Sequence, residues 1–273
     1  MTYKTNLSDY KQQVTAFFDG RTNYDNDFTY RRAIRLVELT PLTRRQQVLD
    51  VATGTGIVAI AAAEIVGSQG KVVGVDISPG MLKQAREKIE AAGIKNIKLI
   101  EADADSLNFS DESFDVILCS SSLVWLSNIP AALGNWYRWL KQGGLISFSC
   151  YSEKSFLTPI LVKVCAQLYD ISLPNWNEPL GTPQKCHQML QEASFQEIEV
   201  KTEQLGKYLS LSDAKNWWQG DRVWINPRGN PLWQLSQEQL EYLKVAYDQE
   251  IESKQTAQGF WQEITTFFVT ARK

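Results

Sequence analysis

One stretch, Val48-Leu49-Asp50-Val51-Ala52-Thr53-Gly54-Thr55-Gly56-Ile57-Val58-Ala59, restricts the folds open to this chain more than any other. A short apolar run breaks at a glycine turn and resumes as a helical apolar pattern, which reads as strand, tight turn and helix. Only glycine lets the main chain turn this sharply and lie against a ligand with no Cβ in the way. About 20 residues past Gly56, Asp76 closes the next apolar run, where a carboxylate can accept both hydroxyls of a ribose. Asp103 ends a third run. Three acids at three successive strand ends mark an adenosine site at the carboxyl edge of a parallel sheet. Taken alone, Gly54-x-Gly56-x-x-Ala59 also fits a dinucleotide-binding turn, so a nicotinamide-dependent oxidoreductase stays open as an alternative; Asp50 and Asp103 argue against it.

The surrounding pattern agrees with a parallel sheet. From Gln47 to Cys150, brief β-rich runs at Val48–Val51, Lys71–Asp76, Ile97–Glu101, Phe114–Cys119 and Leu145–Cys150 alternate with amphipathic helical stretches, as in βαβ units. Ser78 can cap a helix that Pro79 opens, with Leu82, Ala85, Ile89 and Ala92 at helical spacing before Gly93. A second helix is predicted over 130–141, ended by Gly143–Gly144, and a third after Thr182, with further strands at Phe195–Thr202 and Ile264–Ala271. The expected organisation is a helical segment over 1–45, a nucleotide-binding core over 46–150, a cap insertion over 151–181, the core's continuation over 182–205, an aromatic-rich lid over 206–259 and a last core strand over 260–273. Within that lid, Ser236 and Gln239 have capping-box spacing ahead of a helix carrying Leu240, Leu243, Tyr247 and Ile251 inward.

Composition removes several functional classes. A net charge of −3 and a pI near 5.4 lack the electrostatic footprint of a nucleic-acid-binding protein. The arginines Arg31, Arg32, Arg35, Arg44 and Arg45 can bind a substrate carboxylate or phosphate, but a solvated helix face is the favoured reading. No apolar run is long enough to span a bilayer, and the polar start lacks signal-peptide character, so a cytoplasmic protein is expected. Cys119, Cys150, Cys165 and Cys186 lack the spacing of a zinc knuckle or redox dithiol and read as small buried hydrophobes; no metal site is expected. The single histidine, His187, lies off its helix's apolar stripe, so a Ser–His or Cys–His nucleophile system is excluded and no catalytic residue is assigned.

The motifs Leu49 to Gly56, Val75-Asp76-Ile77-Ser78-Pro79-Gly80-Met81-Leu82, Ala102-Asp103-Ala104, Phe114-Asp115-Val116-Ile117, Leu123 to Asn128 and Leu140-Lys141-Gln142-Gly143-Gly144 together resemble the class I S-adenosylmethionine-dependent methyltransferases, in the small-molecule group of the ubiquinone and menaquinone C-methyltransferases. The resemblance spans about Tyr24 to Thr202 and returns at the C-terminal strand. It implies an α/β fold, a Rossmann-like seven-stranded methyltransferase sheet that is mostly parallel with its last strand antiparallel, a helical N-terminal segment and an inserted substrate cap. It also implies that the loop after Asp50, with Ala52 and Gly54, faces the methionine part of S-adenosyl-L-methionine, that Asp50 and Gly56 belong to the cofactor-binding residues, and that Asp76 holds the ribose. Ile77 and Met81 would flank the adenine, Asp103 and the Ala104 backbone would address it, Ser120 would line the reaction side, and Tyr24 would close over the cofactor. Ala52 where many members have glycine, and Gln142 in place of a common proline, depart from the pattern.

The sequence holds nine tryptophans, and the inserted segments concentrate them. Trp176, Tyr208, Trp217, Trp218, Trp224 and Trp233 give a π-rich surface with hydrogen-bonding edges, expected to line the acceptor site; a satellite core is the alternative. The expected activity is methyl transfer to a hydrophobic, ring-bearing small molecule of quinone or specialised metabolism by a monomer or homodimer. Carboxyl O-methylation of a carrier-bound or free acid, and a non-catalytic cofactor-binding role, remain alternatives.

Overall fold

The computed structural model describes residues 7–220 and 224–273. Its centre is a seven-stranded sheet in the order β3-β2-β1-β4-β5-β9-β6. The strands are β1 (Gln47–Val51), β2 (Lys71–Asp76), β3 (Ile97–Glu101), β4 (Phe114–Ser120), β5 (Leu140–Tyr151), β6 (Gln196–Gln204) and β9 (Thr265–Arg272). The first five pair in parallel, and β9 runs antiparallel between β5 and β6.

Strand periodicity explains why both faces are covered. Val48 on β1 and Val116 and Leu118 on β4 point to one side, against α2 (Asp27–Leu39) and α3 (Ile57–Val66); Leu49, Val51, Ile117 and Cys119 point to the other, against α5 (Ile129–Trp139) and α7 (Pro183–Glu192). The Ser78 cap is present, its hydroxyl accepting from the Met81 amide at the start of α4 (Pro79–Ala91). α5 ends earlier than its pattern predicts. Leu140 is already paired with Phe114, and a register shift absorbs the following residues, including Gly143 at φ +72°, before Leu145 opposite Val116.

The two insertions form one body. Leu161 and Cys165 of α6 (Thr158–Tyr169) pack with Leu240, Leu243, Tyr247 and Ile251 of α9 (Gln237–Ser253), and Trp218 and Trp224 join them in a separate buried cluster. A two-stranded ribbon that the apolar pattern does not predict, β7 (Lys207–Leu209) with β8 (Phe260–Gln262), flanks α8 (Leu211–Asn216) in this cap. At the other end of the chain, α1 (Leu7–Asp19) lies across the carboxyl edge of the sheet, where Tyr10 and Val14 are buried with Ile225.

Candidate active site

The turn after β1 is built from left-handed backbone. Ala52 has φ +54°, Gly54 +56° and Gly56 +81°. At Gly54 this conformation brings the backbone amide to Asp76, whose Oδ2 accepts from it at 2.7 Å, while Oδ1 accepts from the Ser78 amide at 2.9 Å. A Cβ on Gly56 would come within 3.1 Å of the Ala85 Cβ, so this glycine serves the close packing of α3 on α4. It does not line the cavities described below, contrary to its expected place against the cofactor.

Asp50 lies under the turn without solvent contact. Its Oδ2 accepts a 2.6 Å hydrogen bond from the Thr53 hydroxyl, and its Oδ1 has no partner. Burial pushes the pKa of this carboxyl up to about 7, with the Thr53 bond and the neighbouring Ala59 amide pulling it back and the Asp76 charge adding to the rise. Burial also raises Asp76, opposed by the amides of Ser78, Gly54 and Ile77. The orphaned Asp50 oxygen suits a cationic donor such as an ammonium group.

Three voids meet around Tyr24. The first, about 630 Å³, is lined by Ala52, Gly54, Asp76, Ile77, Met81, Asp103 and Ala104, and roofed by Lys11, Val14 and Phe18 from α1. The second, about 340 Å³, reaches Asp50, Thr53 and Ser120 and shares Tyr24, Ala52 and Gly54 with the first. The third, about 1160 Å³, opens toward the cap and shares Phe18, Tyr24 and Trp125 with the first. All three acids singled out by the sequence therefore converge on one cleft, although Asp103 stands two residues past the end of β3.

A set of polar tethers holds the roof down. Lys11 Nζ donates to Asp103 at 2.8 Å and to Asp105, and the Tyr10 hydroxyl donates to the Trp125 carbonyl at 2.8 Å. Asp19 accepts from the Ser78 hydroxyl and the Gly80 amide, while Asp25 accepts from the Thr55 hydroxyl and Lys88.

Residues 48–144 match the methyltransferase-domain family. The aklanonic acid methyltransferase DauC of Streptomyces sp. (strain C5) is 34% identical over 194 residues, which cover 68% of this chain and 88% of that protein. The chain belongs to the class I S-adenosylmethionine-dependent methyltransferases. The demethylmenaquinone methyltransferase of Geobacillus kaustophilus (strain HTA426) is 28% identical over 211 residues, covering 70% of this methyltransferase and 88% of its own length. The solved YcgJ protein of Bacillus subtilis shares the fold, with a TM-score of 0.60 at 17% identity over 89% of this chain and 98% of its own.

The methyltransferase divides its cap aromatics in a way their sequence clustering does not show. Trp176 and Trp217 line the 1160 Å³ chamber, and Trp224 stacks behind Trp176 at 3.7 Å between ring centroids. Trp176 Nε1 donates to the Ile225 carbonyl, and Trp224 Nε1 to the Pro174 carbonyl. Trp218, Tyr208 and Trp233 are not brought to the chamber. Trp218 is buried edge-on against Tyr247 in the cap's own core. Tyr208 packs against Trp261 on the β7–β8 ribbon, whose outward positions face solvent, and Trp233 is 65% exposed on a short 3₁₀ turn.

Sequence reasoning missed the roof. Tyr10, Val14 and Phe18 recur at intervals of four, a helical stripe that marks the inner face of α1, with Lys11 beside it. Trp125 and Leu126, read as a segment following β4, line the first cavity. Arg32 was expected on a solvated face but is only 5% exposed. The signal was present: Thr29, Arg32, Ala33, Leu36 and Val37 form the buried stripe of α2, and Arg32 sits on it.

Proposed function

We propose that the methyltransferase moves a methyl group to a hydrophobic, ring-bearing small molecule held in the chamber formed by α1, α2 and the cap. The observation that carries this reading is the shared wall: Phe18, Tyr24 and Trp125 border both the 630 Å³ cavity and the larger chamber. A molecule in the chamber thus lies next to one in the cavity. DauC and the Geobacillus enzyme act, by name, on aklanonic acid and demethylmenaquinone, which supports a small-molecule acceptor of this kind.

In this reading Asp76 receives the ribose hydroxyls with the lone pairs that the Gly54 and Ser78 amides leave free. Ile77 and Met81 enclose the adenine, with Asp103 and the Ala104 backbone at its edge. Asp50 offers its unpartnered oxygen to the ammonium of the methionine tail, next to Ala52, Gly54 and Ser120. Bound there, the cofactor supplies a methyl carbon already activated by a sulfonium. What remains for the protein is to hold the acceptor close, aligned and dry, which contributes about 7–11 kcal/mol to lowering a barrier of this kind. Tyr24, present in the walls of all three voids, is the residue placed to separate solvent from the transfer path. Burial raises its pKa, so its hydroxyl stays protonated at neutral pH and acts as a donor.

Calorimetry with S-adenosylhomocysteine and with NAD, followed by transfer of labelled methyl from S-adenosylmethionine to reduced naphthoquinones and polycyclic acids, tests the proposal. Binding of S-adenosylhomocysteine with label in an extractable ring compound is expected. Binding without transfer to any acceptor would reduce the chain to a cofactor-binding protein.

A further inference from the structure

The cap supplies the 1160 Å³ chamber with two polar side chains that have no protein partner. Thr158, the first residue of α6, is 0% exposed and lines the chamber, and its hydroxyl makes no hydrogen bond. Asn177, 4% exposed between α6 and α7, lines it too. Its main-chain amide donates to the Asn175 side chain and its carbonyl accepts from the Leu180 amide, but its side-chain amide bonds to nothing among the described residues. Neither residue borders the two voids assigned to the cofactor, whereas Asp50 and Arg32, which also carry unmet polar atoms, both border the 340 Å³ void. A buried polar group left unsatisfied costs free energy, so two of them in one chamber point to a ligand that completes both.

The turn into α6 presents Thr158 in a fixed position. Phe156, also in the chamber wall, has a left-handed φ of +64°, costly for a bulky residue. Its amide donates to the Glu263 carbonyl at 2.6 Å, and the Ser155 hydroxyl donates to the Thr265 carbonyl at 3.0 Å, which ties the turn to the start of β9. Leu157 occupies the N-cap of α6, and its side chain makes no capping hydrogen bond. The amino end of a helix carries partial positive charge, so an oxygen that accepts hydrogen bonds fits beside Thr158.

We infer that the acceptor's ring system carries a carbonyl oxygen that accepts hydrogen bonds from the Thr158 hydroxyl and the Asn177 side-chain amide, and that these two residues orient the ring and discriminate against a hydrocarbon of the same shape. This rests on the proposed function and narrows its acceptor class. Both donors are neutral, which suits an uncharged oxygen better than an ionised group that would have to be desolvated. A site built to hydrogen-bond an oxygen rejects the analogue without it, because its own polar groups then stay unpaired.

The test is equilibrium dialysis of trace 9-fluorenone and trace fluorene, the same planar skeleton with and without a carbonyl, against increasing concentrations of the full-length protein saturated with S-adenosylhomocysteine. Fluorenone is expected to bind about tenfold tighter, although fluorene is the more hydrophobic of the two. Thr158→Val keeps the side chain's shape and should remove most of that preference, Thr158→Ser should retain it, and Asn177→Ala should reduce it by a smaller factor. Equal binding, a preference for fluorene, or no binding of either compound by the wild type overturns the inference, and these comparisons stand even if a variant fails to fold. A preference unchanged in both Thr158→Val and Asn177→Ala also overturns it, since the oxygen is then seated elsewhere. So does a tenfold or greater loss of S-adenosylhomocysteine affinity in Thr158→Val, which would assign that residue to the cofactor. S-adenosylhomocysteine binding to the wild type is measured first, so failure of the methyltransferase reading is seen separately.

Discussion

Asp50→Asn exposes how far this site trades stability for binding. In the folded chain the Asp50 carboxyl titrates at about 7, against 3.8 when unperturbed, because no water reaches it. The gap between 3.8 and about 7, at 1.36 kcal/mol per pH unit, amounts to about 4 kcal/mol. The folded state holds a proton that the unfolded chain releases near pH 4, so stability from this group is complete only below pH 4 and falls as pH rises through 7. Asparagine keeps the shape and an oxygen for Thr53 but does not ionise. Its stabilising effect on the cofactor-free protein should therefore grow with pH, from about 1–2 kcal/mol at pH 5 to as much as 4 kcal/mol near pH 9. Urea unfolding at pH 5, 7 and 9 measures this. The same change should weaken S-adenosylhomocysteine by about 1.5–3 kcal/mol, since a hydrogen bond to a charged group is lost. It should also flatten a pH profile that, in the wild type, improves between pH 6 and 8 as Asp50 ionises. A variant less stable than wild type at every pH, or wild-type affinity independent of pH over that range, would refute the reasoning.

Asp76→Ala should weaken S-adenosylhomocysteine by about 1.5–3 kcal/mol and also loosen the turn, because the Gly54 amide loses its acceptor; unchanged calorimetric affinity would mean the ribose is held elsewhere. Trp218→Ala should cost about 3–5 kcal/mol of stability by emptying a packed position against Tyr247, with Trp217→Ala near neutral in unfolding but slower in turnover. The opposite assignment of the two losses would reverse their roles. Lys11→Met should change stability by no more than about 1 kcal/mol while speeding cofactor release several-fold in stopped-flow fluorescence, because it cuts the tie from α1 to Asp103 and Asp105. An unchanged release rate would show that the roof is held elsewhere.

The turn was legible because its constraint is local. Left-handed backbone at Gly54 and Gly56 follows from strand, turn and helix following within twelve residues, and an acid at the next strand end needs only the parallel sheet to bring it near. The aromatic cap was not legible for an equally physical reason. Trp217 caps the C-terminus of α8 and Trp218 lies just past it, where the chain leaves the helix, so Trp217 borders both the chamber and the satellite core while Trp218 is buried in that core. Which of them borders the chamber depends on the path of the chain as it leaves α8, which composition does not encode. Arg32 lay between: Arg31, Arg32 and Arg35 read as a basic stripe until the spacing of Thr29, Ala33, Leu36 and Val37 is followed around the helix.

The N-terminal segment links the two halves of the site. Phe18 and Tyr24 contribute to cavity and chamber alike, so neither is complete until residues 7–26 have docked. The docking rests on a small buried cluster, Tyr10, Val14 and Ile225, and on polar ties at Lys11, Asp19 and Asp25. Few buried apolar contacts and several partly exposed ion pairs are the marks of an element that opens at low cost relative to global unfolding. Lys11 neutralises Asp103, the acid proposed for the adenine edge, and would have to share it with the adenine amino group when the cofactor is present. A bound cofactor that replaces part of that interaction and fills the space beneath Val14 and Phe18 therefore stabilises the docked roof. The chamber that shares Phe18 and Tyr24 is then assembled with it, so on the proposed function the acceptor is expected to bind more tightly once the cofactor is in place.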